Sequence, residues 1–159
     1  MKRFFLLILL AAALPVRAEL RVFACEPEWA ALAQALGGDK VTVYSATHAL
    51  QDPHRIEARP SLIARARTAQ LVVCTGAELE AGWLPAVLRE SGNAGVQPGR
   101  PGHFEAAALV ARLEIPLKLD RAEGDVHASG NPHIHLDPHN LLAVAAPLAK
   151  RMGELDAAN

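Results

Sequence analysis

The chain has 159 residues, 51% hydrophobic and 21% charged, with a formal net charge of −1. That length suits one core-bearing domain, the apolar share excludes bulk disorder, and the balanced charge argues against a general nucleic-acid-binding surface, which needs a concentrated basic face. Two cysteines cannot build a disulfide-rich scaffold or a four-cysteine zinc site. One oddity remains: seven histidines against one tyrosine, with His127, His133, His135 and His139 crowded together.

The chain opens on Met1-Lys2-Arg3, runs apolar from Phe4 to Leu14, breaks at Pro15 and continues with Val16-Arg17-Ala18. This is the pattern of a secretory signal peptide cleaved after Ala18, and the run is shorter than the ~20 apolar residues of a membrane span. Without Lys2, Arg3 and Arg17 the exported part holds thirteen basic and seventeen acidic residues, a net charge of −4. Leu20–Cys25 then predicts a buried strand, and Pro27 opens a helix over 28–36 that Gly37-Gly38 stops. Val41–Tyr44 is a short β-branched strand, 45–59 a polar loop, and Pro60-Ser61 starts a helix with Leu62, Ile63 and Ala66 inward. Leu71–Cys74, apolar throughout, is expected at the centre of a parallel sheet.

Glu78–Arg89 is expected to be a helix kinked at Pro85, and 91–102 a loop with a short strand near Val96. Phe104–Leu113 suggests a helical turn, Ile115–Leu117 an edge strand, and Asp120–Pro132 a polar loop. Asp137-Pro138 caps a last amphipathic helix carrying Leu141, Leu142, Val144, Ala145, Leu148, Met152 and Leu155. The alternation predicts an α/β fold: a mostly parallel sheet of about four strands flanked by helices and ending in a long helix. Ligands of such sheets bind at the carboxyl ends of the strands, where the polar loops fall. Trp29 and Trp83 fit core packing, and Glu78 and Glu80 fit a helix start, with support of a histidine as the alternative for Glu80. Export permits a Cys25–Cys74 disulfide, but bridging neighbouring parallel strands demands particular geometry, which favours two buried thiols.

Imidazole is the commonest ligand of zinc and similar ions. His54 sits in the loop after the second strand, beside Asp52-Pro53; His133 and His135 project to one side of an extended segment; His127 precedes them. No His-Glu-x-x-His, Gly-x-Ser-x-Gly or phosphate-loop pattern occurs. Solvated loop histidines and a metal site both fit this spacing.

Taken in order, Asp52-Pro53-His54, Arg59-Pro60-Ser61, Ala69-Gln70-Leu71-Val72-Val73, Gly76-Ala77-Glu78-Leu79-Glu80 with Trp83, and Asn131-Pro132-His133-Ile134-His135-Leu136-Asp137-Pro138 resemble the substrate-binding proteins of zinc and manganese ABC transporters. The match runs from about Leu20 to the chain end. It implies a periplasmic, non-enzymatic receptor with metal ligands at His54 and His133. Where the family usually carries Trp, this chain has His135, so the parts of His127 and His135 stay open. The resemblance further implies an amino-terminal lobe over 19–136 and the start of an inter-lobe helix over 137–159. On that resemblance the second lobe and the ligands it supplies are not expected within this sequence, and the last helix is expected to show an uncovered apolar face. The implied function is capture of Zn²⁺, with Mn²⁺ second, for delivery to an ABC permease, with no nucleic-acid partner and no membrane insertion after signal removal. Two alternatives stand beside it: a secreted zinc hydrolase with Asp52, Asp125 or Glu80 as base, and a lobe that only buffers metal.

Overall fold

Residues 19–119, 122, 124 and 126–158 are described by a computed structural model; the expected signal peptide over 1–18, and Asp125, lie outside the described residues. Four strands, β1 (Leu20–Ala24), β2 (Val41–Ser45), β3 (Leu71–Cys74) and β4 (His103–Glu105), form one sheet in the order β2-β1-β3-β4. Every pairing is parallel, with Leu20 opposite Val41, Ala24 opposite Val73 and Val73 opposite Phe104. The helices α1 (Pro27–Gly37), α2 (Pro60–Thr68), α3 (Leu84–Ser91) and α4 (Pro138–Leu155) cover it. All four begin with Pro in the first turn, where its missing N–H breaks no helical bond.

Side chains alternate across the pleat and divide the core in two. Val22, Ala24, Leu71 and Val73 face α1 and α4, packing on Trp29, Ala33, Val144, Leu148 and Met152. Phe23, Cys25, Val72 and Cys74 face α2 and α3, packing on Leu62, Ala66, Trp83 and Val87. Burying each large apolar side chain contributes about 1.5–3 kcal/mol against chain entropy. The α/β fold, the first three strands and the long last helix agree with the sequence reading.

Several local expectations do not hold. Residues 94–96 form a 3₁₀ turn and Ile115–Leu117 carries no regular structure, so the fourth strand is His103–Glu105, followed by a 3₁₀ turn at 106–109. Turns occupy 77–83 because Ala77 and Glu78 have φ of 50° and 72°, outside any right-handed helix. Pro85 therefore starts α3 instead of kinking a longer helix. The apolar face of α4 is not bare: Val144, Leu148 and Met152 are buried against the sheet and α1, and only Leu142 of the expected stripe is largely exposed. Cys25 and Cys74 form a disulfide instead of lying free, because they extend the β1–β3 register side by side with Cα atoms 4.8 Å apart, within the normal span of that bond. Among the described residues, no helix is long and apolar enough to cross a membrane.

Candidate metal centre

Three segments of the chain share one pattern, an Asp or Asn, then Pro, then His. In each, the first side chain accepts the backbone N–H of the histidine: Asp52 from His54 at 3.0 Å, Asn131 from His133 at 2.9 Å, and Asp137 from His139 at 2.9 Å. Proline fixes φ between the two residues, and the Asx side chain closes the turn, so each histidine is held from its own backbone. Tertiary structure then decides what the turns do. The His139 side chain is 91% exposed at the start of α4, whereas that of His54 is 20% exposed and turns, with His133, into a cleft of about 540 Å³.

That cleft lies beyond the carboxyl ends of the strands. His54 enters it from the loop after β2, while His127 and His133 enter from the segment before α4, beside Glu114, Ile115 and Asn131. The rings of His54 and His127 stack at 5.1 Å with 27° between planes, and their Nε2 atoms are 3.1 Å apart. His133 meets His54 edge-on at 5.6 Å, and His135 meets His133 edge-on at 6.0 Å. The sequence left His127 as uncertain company; folding closes a gap of 73 residues to bring it against His54.

Neighbours fix these rings. Asp52 Oδ1, besides holding the His54 backbone, lies 2.8 Å from Nδ1, so this nitrogen donates and the Nε2 lone pair points at His127. The imidazole in return holds the Asp52 carboxyl below the usual carboxylate range. Burial first, then the neighbouring His54, His135 and His127, lowers the pKa of His133. His135 Nδ1 sits 3.1 Å from Glu28 Oε1, outside hydrogen-bond geometry. Behind the cleft, Trp83 Nε1 donates to the Pro53 carbonyl at 2.9 Å, and a Cβ on Gly82 would meet the His54 carbonyl oxygen at 2.9 Å. Trp83 is thus a core residue whose polar edge anchors the His54 turn.

Glu80 does not support a histidine. It is buried, and its carboxylate accepts the N–H of Thr75 at 2.8 Å and of Gly76 at 3.1 Å. Beside it, Glu26 accepts from the Thr75 hydroxyl at 3.1 Å, and Trp29 Nε1 donates to that same hydroxyl at 2.8 Å. Glu78 instead reaches across to the His127 segment. Its Oε2 accepts the Ala128 N–H at 2.9 Å and its Oε1 the Ser129 hydroxyl at 3.3 Å. The left-handed backbone that aims Glu78 there costs a non-glycine residue about 1–3 kcal/mol.

This fold and cleft have known counterparts. Residues 22–159 match the family described as ZnuA, zinc-uptake complex component A, periplasmic. The chain belongs to that family. It is a family of periplasmic zinc-uptake components, not of enzymes. The hydrolase alternative is thereby set aside, and Glu80, one of its candidate bases, is sealed in the interior. A crystal structure of ZnuA superposes with a TM-score of 0.68 at 25% identity, covering 89% of this chain and 49% of that one. A zinc-bound ZnuA deletion mutant gives 0.68 at 26% identity, with 89% and 48% covered. The Mn-bound periplasmic metal-binding protein of Candidatus Liberibacter asiaticus gives 0.69 at 19% identity, with 89% and 47% covered, a likeness of fold alone. No curated protein matches the chain. The chain spans about half the length of these ZnuA-type structures.

Proposed function

We propose that this chain is a metal-capturing lobe of an exported receptor, which binds Zn²⁺ in preference to Mn²⁺ through His54 and His133 and delivers it to an ABC permease. One observation carries the reading: the Asp52 bond to Nδ1 leaves the Nε2 lone pair of His54 directed into the cleft that His133 also enters. A neutral imidazole with its other nitrogen held by a carboxylate is the arrangement that metal-ligating histidines favour. Nitrogen donors suit zinc better than manganese, which prefers oxygen. The layout that accompanies this function is a lobe over 19–136 and a connecting helix beginning at 137, after removal of a signal peptide at Ala18. Membership of a zinc-uptake family supports the permease as partner, and the half-length match supports the single lobe.

Metal binding requires neutral imidazoles, so protons compete with the ion. Affinity is expected to fall as pH drops through the histidine range, and burial, which lowers the pKa of His133, favours the neutral form that binds metal. Calorimetric titration with Zn²⁺ and with Mn²⁺ tests the assignment. His54→Ala and His133→Ala should each weaken zinc binding by more than the ~10–100-fold typical of losing a supporting residue. Unchanged zinc affinity in both variants would remove the site.

A further inference from the structure

We propose that His127 is a third imidazole ligand of the same ion, and that Glu78 is the residue that positions it. The inference rests on the metal-capture reading above and adds a donor from a segment 73 residues from His54.

Two ring nitrogens 3.1 Å apart need something between them. With Nδ1 of His54 donating to Asp52, Nε2 of His54 can only accept, so a proton on His127 Nε2 bridges the pair. A metal ion can take the place of that proton. Two nitrogens bound at about 2.0–2.1 Å to one tetrahedral ion lie about 3.3 Å apart, close to the separation already present. The His133 ring stands edge-on to that of His54, 5.6 Å between ring centres, in the same cleft, so binding of the ion would have to draw this third imidazole in. Three nitrogen donors with a fourth position open is a common zinc arrangement.

Glu78 makes the His127 position specific. Its two carboxylate oxygens bind the two residues that follow His127, the Ala128 N–H and the Ser129 hydroxyl. Glu78 itself leaves β3 in a left-handed conformation, φ 72°, that directs it away from a helical course and toward this segment. It touches neither ring nor ion. Its action is to fix the backbone from which the imidazole projects, as outer residues of metal sites do.

The test uses the metal-free chain, Co²⁺ as a spectroscopic probe, and competition with Zn²⁺. Wild type should give the intense visible absorption of tetrahedral Co²⁺. His127→Ala should lose most of that intensity and weaken zinc binding. Glu78→Gly suits the left-handed backbone and removes the carboxylate with the rest of the side chain; it should lower zinc affinity about 10–100-fold and shift the Co²⁺ spectrum toward that of His127→Ala. Glu78→Gln, which can still accept the Ala128 N–H, should recover part of the loss. If His127→Ala keeps wild-type spectrum and affinity while His54→Ala and His133→Ala lose metal, the third ligand is overturned and metal capture stands. If none of the three affects binding, both fall. If His127→Ala loses metal and Glu78→Gly does not, the role of Glu78 is overturned.

Discussion

Glu26 keeps its proton at neutral pH. Burial, and then the Glu80 carboxylate beside it, pushes its pKa up to about 10, while burial raises Glu80 less, to about 6, because a hydrogen bond from Glu26 and then backbone N–H groups favour its ionised form. Among the described residues Glu26 Oε1 finds no donor, and the retained proton is what lets the two acids lie side by side. An acid whose folded pKa is raised contributes stability that is full below its unfolded value of 4.5 and lost as pH rises toward the folded value of about 10. Denaturant unfolding of the wild type should therefore weaken between about pH 7 and pH 9, at a limit of about 1.4 kcal/mol per pH unit for one retained proton. Glu26→Gln, which cannot ionise, should flatten that slope; a flat wild-type profile would show that the pair carries no excess proton.

At the scale of elements, the His54 turn is held from three sides: by Asp52, by Trp83 on the Pro53 carbonyl, and by the closeness of Gly82 to its own carbonyl. Gly82→Ala places a methyl 2.9 Å from that carbonyl oxygen, and the backbone must move. Zinc affinity is expected to fall about tenfold, read by calorimetry, with far-ultraviolet dichroism unchanged. Unaltered affinity would mean the turn yields without carrying His54 out of place. The Asp137 cap of α4 was legible in the sequence because its bond spans two residues. The central strands were legible too, since β3 is an unbroken apolar run and β1 is interrupted only by the exposed Arg21. β4 was not: its three residues include one buried apolar residue, Phe104, so no apolar period exists to detect, and only pairing with β3 makes it a strand. His127 and Glu78 were not legible as a unit, because the 50-residue step from Glu78 to Ala128 is closed by tertiary folding.

Across the whole molecule, the Cys25–Cys74 bridge ties β1 to β3 over a separation of 49 residues. A loop of that length implies about 4 kcal/mol of stabilisation through the unfolded chain. Cys25→Ala/Cys74→Ala should lose most of this in denaturant unfolding, and a loss under about 1 kcal/mol would show that the bridge adds little to folding. The strand order β2-β1-β3-β4 reverses direction between β1 and β3, the crevice in which doubly wound sheets commonly seat their ligands. Here that crevice is plugged. The disulfide, the Glu26–Thr75–Glu80 network and Trp29 fill it, and the histidine cleft is displaced onto the turn after β2 and the segment before α4. With the proposed ligand set, selection could therefore exchange side chains at positions 54, 127 and 133, trading imidazole for carboxylate to suit a harder ion, without drawing on the bonds that keep the sheet folded.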